Sequence, residues 1–224
     1  MSIQIDRLVR SRRKSVAVIV LPDGALEVRA PLGLPGGRIQ EFVESHTDWI
    51  QKQQRRARLA APLPAKKFTD GESFLFLGQS HPLRIVPHQR PALAFDGKTF
   101  RLSRSGLPKA REYFARWYKT QAQDMLTAYV QALATEHGFT YQKVRISSAR
   151  TRWGSCSSKG TLSFTWRLMM APLEVVNYVL MHELLHTKIH NHSKIFWHGM
   201  VKLLPDYWQQ RTWLRKNGKY LSLD

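Results

Sequence analysis

The residues best suited to chemistry lie in one short stretch, His182-Glu183-Leu184-Leu185-His186, with a further histidine at His192. On a helix, residues four apart share a face, so His182 and His186 can aim their imidazoles at one metal ion while Glu183 sits beside them. A catalytic zinc takes three protein ligands and leaves a fourth position open, so a third ligand is expected downstream. The only acidic residues after Glu183 are Asp206 and Asp224, which leaves no downstream glutamate for that role. Histidines remain: His190, His192 and His198. If the helix continued to His190, that residue would stand about 12 Å along the axis from His182, too far to share its ion. His192 is better placed, because Asn191 tolerates the left-handed conformation that ends helices and can turn the chain back. The expected ligands are therefore His182, His186 and His192, holding one Zn2+ or another divalent metal. Glu183 is the expected general base, taking a proton from a metal-bound water and passing it to the leaving group.

Other side chains are candidates for supporting roles. Arg152 could face the cleft and bind an anionic or carbonyl oxygen, and His198 and Tyr207 could hydrogen-bond a transition-state oxyanion. Asp206 could orient a ligand histidine from behind, and Asn191 could shape the turn that presents His192. Cys156, the single cysteine, could approach the metal, but a lone thiol in a serine-rich loop reads more simply as a loop residue.

The elements that must position these groups follow from periodicity. Ser15-Leu21 and Ala25-Ala30 read as a hairpin about Pro22-Asp23-Gly24, and Arg38 to Leu59 as one helix stopped by Ala61-Pro62-Leu63-Pro64. Short strand-like runs follow at Ser73-Leu77, Pro82-Val86, Ala92-Phe95 and Thr99-Leu102, so that the first half reads as mostly antiparallel sheet. From Pro108 apolar residues recur at helical spacing as far as Gly138, and Tyr141-Ser148 and Thr161-Leu168 read as strands around a polar loop, residues 150–160. The metal helix is expected to start near Pro172, with two more helices at about Ser193-Leu204 and Asp206-Lys216. The fold class is α+β: a β-rich N-terminal part with one helix, residues 1–106, and a part that carries the metal helix, residues 107–224.

Bulk properties set limits. Of 224 residues, 43% are hydrophobic, enough for a buried core without disulfides, and one cysteine excludes an internal bridge. No apolar stretch approaches the eighteen or so residues that span a bilayer; no membrane association is expected, and a cytoplasmic location is the default. The net charge of +19 attracts polyanions, but it divides evenly: 19 Lys+Arg against 9 Asp+Glu in residues 1–110, and 16 against 7 in residues 111–224. A generally basic surface explains this as well as a nucleic-acid face does, and the oligomeric state is open.

Four stretches carry a resemblance: PDGALEVRAP, TRWGSCSSKG, WRLMMAP and HELLHTKIHNHSKIFW. With these the chain resembles the YgjP-like metallopeptidase domain family, distant relatives of the SprT-like and WLM zinc proteases, over nearly its whole length. The resemblance implies a zinc metallopeptidase acting on a peptide or an unfolded protein, with residues 107–224 as a compact HExxH zinc-peptidase core. It also suggests that the strand Thr161-Leu168 is an edge along the cleft, where an extended substrate could add. Two other readings stay open: a metal-dependent hydrolase of a non-peptide such as a nucleoside triphosphate, suggested by Arg150 and Arg152, and a nucleic-acid-associated protease or binding protein.

Overall fold

A computed structural model describes residues 3–21, 23–59 and 65–224. The chain divides into two compact units, Met1–Leu63 and Pro64–Asp224. The first contains β1 (Arg7–Ser11), β2 (Ala17–Val20), β3 (Leu26–Pro31), α1 (Gly36–Glu44) and α2 (Thr47–Leu59). The expected hairpin is present as β2 and β3, and β3 is central because β1 adds parallel to its other side. Leu26, Val28 and Ala30 of β3 pack with Ile39, Val43 and Ile50 of the helices to form this unit's own core. The single helix expected over residues 38–59 is broken at Ser45 and His46. The side chains of Ser45 and His46 both engage the Phe42 carbonyl and that of Thr47 the Glu44 carbonyl, so side-chain bonds compete with helix continuation there. Pro22 and the expected stop at Ala61-Pro62-Leu63-Pro64 lie outside the described residues.

The second unit begins with a four-stranded sheet of β4 (Ser73–Phe76), β5 (Gln79–Val86), β6 (Leu93–Phe95) and β7 (Phe100–Ser103), in the order β4-β5-β7-β6. The strands match the expected runs, but the sheet is mixed: β5 and β7 are parallel. After it comes α3 (Ala110–His137), whose buried residues Ala110, Phe114, Tyr118, Ala122, Leu126, Val130 and Ala134 recur every four positions. That spacing makes one continuous apolar stripe, and burying a Phe114 or Leu126 side chain contributes about 1.5–3 kcal/mol. The division between the compact units falls at 63/64. The β4-β5-β7-β6 sheet shares a core with α3, as the stacked rings of Phe74 and Phe114, with centroids 4.1 Å apart, show directly.

Three strands form the next sheet: β8 (Lys143–Ser147), β9 (Gly154–Cys156) and β10 (Thr161–Thr165), in the order β8-β10-β9. Two expectations are corrected here. The loop at residues 150–160 contains a strand, and β10 lies in the centre, parallel to β8 and antiparallel to β9, so the edges are β8 and β9. With Leu162 and Phe164 fully buried, β10 has the character of an internal strand. It ends at Thr165, because Trp166–Met170 winds into a wholly buried 3-10 helix. Arg167 in that turn donates to the carbonyls of Ser148 and Ala149, and Thr165 also donates to Ala149, which ties down the chain leading to Arg152 and β9.

The second unit closes with α4 (Leu173–Leu185), α5 (Lys194–Leu203) and α6 (Tyr207–Asn217). The start of α4 is held by the β4-β5 turn, where the Leu77 N–H donates to the Met169 carbonyl. Gly78 in that turn has φ +80°, and an added Cβ would stand 2.9 Å from Pro172 Cα, so glycine is required by both backbone conformation and space. No helix among the described residues is long and apolar enough to cross a membrane.

Candidate metal centre

The helix α4 is apolar nearly all round, with Val175, Val176, Tyr178, Val179, Leu180, Met181, Leu184 and Leu185 buried. Such a helix belongs in a core, and polar groups within it need a reason. Glu183 is 6% exposed and has no Lys, Arg or His partner within 4.0 Å among the described residues. A buried carboxylate left unpaired in a cleft marks a functional site more often than a stabilising one.

The three expected histidines meet. Ligand atoms of His182, His186 and His192 all lie within 4.8 Å of one another. His192 Nε2 is 3.1 Å from His186 Nε2 and 2.9 Å from His182 Nε2. His186 Nδ1 faces the Ile189 carbonyl at 2.9 Å, which can only accept, so this ring donates from Nδ1 and turns a lone pair on Nε2 toward the cluster. One proton on His192 Nε2 can serve His186 or His182, but it leaves the other contact without a hydrogen of its own. A single cation satisfies all three, and nitrogens bound tetrahedrally to zinc at about 2.0–2.1 Å stand about 3.3 Å apart, close to what is found. The residues present fit a metal ion.

Burial, and then the two neighbouring rings, push His182 down to about 3. Burial also lowers His186, against the pull of the Ile189 carbonyl. Both rings are thus neutral near pH 7, the form a metal requires. Burial raises Glu183 to about 7, while the Arg152 guanidinium and the Cys156 backbone N–H draw it down. Near neutral pH its carboxyl group is present in both protonation states, which suits a group that must take up and release a proton.

The turn presenting His192 differs from the expected one. The helix stops at Leu185, and a tight turn follows in which the N–H groups of Lys188 and Ile189 both reach the Leu185 carbonyl. Asn191 is not left-handed; among the described residues other than glycine only Phe68 and Leu77 have positive φ. Its Oδ1 accepts from the Ser193 N–H, 3.2 Å away, at the start of α5. From α5, Phe196 stacks on His186 at 4.5 Å and Trp197 on His192 at 5.6 Å, forming an aromatic wall behind the cluster.

Of the remaining candidates, Arg152 is brought close enough to Glu183 to bias its charge, and it is exposed. Tyr207 stacks between Trp197 and Tyr178, at 5.4 and 6.3 Å, as part of the wall. His198 is exposed and lies outside the cluster. Asp206 precedes α6, and among the described residues its carboxylate makes no hydrogen bond to a histidine of the cluster; Ile189 serves His186, and the buried Nδ1 of His182 has no partner among those residues. Cys156 is half-buried and also outside the cluster; burial first, and the Glu183 charge second, push its thiol up. Metal ligation needs a thiolate, so this environment disfavours it as a fourth ligand. Iodoacetamide should accordingly modify Cys156 in the folded protein more slowly at pH 8 than it modifies the same cysteine after unfolding; equal rates would contradict the burial argument.

Two groups in the site escape a reading by motif. Gly154, in β9, lies against Glu183: a Cβ built on it would stand 2.5 Å from Glu183 Cγ and 2.7 Å from its Oε1. Arg211, on α6, lies over the Trp197 ring at 4.6 Å. Neither follows a spacing rule. Two cavities meet at the site, sharing Gly154, His182 and Glu183. One of about 520 Å3 continues past Ser155, Cys156, Ser158, His186, His190 and His192. The other, of about 230 Å3, continues past Trp153, Tyr178, Val179, Arg211 and Leu214.

Fold and site together define a mixed α+β protein with a three-histidine pocket able to hold a metal and a buried glutamate beside it. The sequence model of the YgjP-like metallopeptidase domain matches residues 14–217, and the chain belongs to that family. No curated protein sequence matches it significantly. Among solved structures, the metallopeptidase zymogen of Pyrococcus abyssi abylysin is similar at 24% identity and a TM-score of 0.37, over 41% of this chain and 91% of that one.

Proposed function

We propose that this protein is a zinc-dependent metallopeptidase in which Glu183 is the general base. The observation that supports this best is the convergence of His182, His186 and His192 within 4.8 Å, with buried Glu183 next to His182 on the same helix. Metal bound there would supply a Lewis acid that polarises a carbonyl and acidifies water. The chain's own groups do the rest. Glu183 takes the proton of the attacking water as the new C–O bond forms and delivers it to the amine nitrogen as the C–N bond breaks. Arg152 lies where it can balance the negative charge that Glu183 carries before the first transfer and after the second. Val179 and Leu214 give the smaller cavity beside Glu183 an apolar wall.

A direct test of the metal set is metal content after dialysis against trace zinc. The native protein should hold one equivalent per chain, and His192→Ala should lose most of it, because two imidazoles leave a zinc site short of a ligand. An unchanged metal content in His192→Ala would remove that residue from the site.

One observation favours a second reading. Arg152 and Arg211 both border the site, and neither forms an ion pair within 4.0 Å among the described residues. Free guanidinium groups suit phosphate as well as carboxylate, so hydrolysis of a nucleoside triphosphate is the alternative. Unfolded protein and nucleoside triphosphates assayed side by side separate the two.

A further inference from the structure

The smaller of the two cavities carries an inference that rests on the peptidase reading and extends it to the substrate. Its walls are apolar: Val179 is 4% exposed, Tyr178 6% and Leu214 9%, with Trp153 at the side. At about 230 Å3 it falls below the ~300–1,000 Å3 of sites that enclose whole small molecules, and it suits a single side chain or chain end. Apart from His182 and Glu183, which it shares with the metal centre, one ionisable cation lines it, Arg211.

Arg211 is held in place without being used. Its guanidinium lies 4.6 Å from the Trp197 ring centroid, and Trp197 is itself stacked between Tyr207 and His192. Stacking on an aromatic face restrains the planar group but consumes none of its five N–H donors. Among the described residues no carboxylate lies within 4.0 Å of it, and no hydrogen bond is made by its side chain. A cation fixed at the rim of an apolar pocket, with its donor fork free, matches a short aliphatic stem ending in a carboxylate, which it can grip through two parallel hydrogen bonds.

We infer that Arg211 is a specificity-determining residue, and that the cavity of Trp153, Tyr178, Val179 and Leu214 receives a carboxylate-bearing part of the substrate next to the bond that is cut. That carboxylate comes from an acidic side chain or from a chain terminus. The net charge of +19 supports the assignment, since an acidic substrate is drawn to this protein before it docks.

The test uses three peptide series, identical except at the group in question: internal glutamate with an amidated C-terminus, internal glutamine with an amidated C-terminus, and internal glutamine with a free C-terminus. The zinc-loaded protein should cleave one of the two carboxylate series about 10–100 times more efficiently, in kcat/KM, than the all-amide series, the range expected of a charge-assisted hydrogen-bonded pair. Which series wins identifies the source. In Arg211→Gln that ratio should collapse toward one, and Arg211→Lys should restore part of it. Binding to metal-free protein, followed by tryptophan fluorescence, should rank the series in the same order and lose the ranking in Arg211→Gln. Equal cleavage of all three series, or a preference that survives Arg211→Gln, overturns the inference while leaving the peptidase reading intact. Failure to cleave any peptide overturns both, as does hydrolysis of nucleoside triphosphates in their place.

Discussion

Glu183→Gln should lower hydrolysis by about 10²–10⁴-fold, the usual contribution of a positioned general base, while zinc content stays at the native level. The substitution is nearly isosteric, so the packing between α4 and β9 should persist. It also removes a buried carboxylate with no ion-pair partner among the described residues, so the melting temperature should hold or rise. Three readouts are therefore needed together: turnover, metal content and melting temperature. Loss of turnover with loss of metal would mean that Glu183 acts by shaping the cluster. Retained turnover would remove it as the base altogether.

The second large effect is expected from Gly154→Ala, a change of one methyl group some distance from the motif. That methyl would fall 2.5 Å from Glu183 Cγ and 2.7 Å from Oε1, well inside contact distance. Gly154 has no positive φ, so the cost is steric and not conformational. Either Glu183 leaves its position or β9 moves away from α4, and overpacking of this kind costs about 1–3 kcal/mol. Activity should drop by an amount approaching that of Glu183→Gln, with zinc largely retained because the three atoms nearest the new methyl all belong to Glu183. Ser155→Ala, on the neighbouring residue of the same strand, is the control for general damage to β9. Native activity in Gly154→Ala would show that the glutamate has room to move and that its contact with the strand is incidental.

These two substitutions mark what was legible in the sequence and what was not. The three histidines and the glutamate were legible because four-residue spacing on a helix is a local property, and because the chain after Glu183 offers few other ligands. The long helix α3 was legible for the same reason: its stripe from Ala110 to Ala134 repeats within one element. Membership of the YgjP-like family follows from motif stretches that are contiguous in the chain.

What the sequence left open depends on elements far apart in the chain coming together. The strand β9 was hidden in a polar loop because three residues carry no readable period, and its existence depends on pairing with β10. The same pairing makes β10 central and leaves β8 and β9 as the edges. The break at Ser45 and His46 arises because side chains there capture backbone carbonyls, which apolar spacing does not register. Gly154 and Arg211 lie 29 residues before Glu183 and 28 after it, and neither distance has meaning along the chain. The sequence by itself determined the candidate metal ligands, the proposed base and the elements with long internal periodicity, since each depends on neighbours within a few residues. Only the tertiary structure decided what those groups face: a strand without a side chain where the glutamate lies, and a guanidinium at the mouth of the adjoining cavity. Both are fixed by packing between elements, which leaves no mark in local spacing.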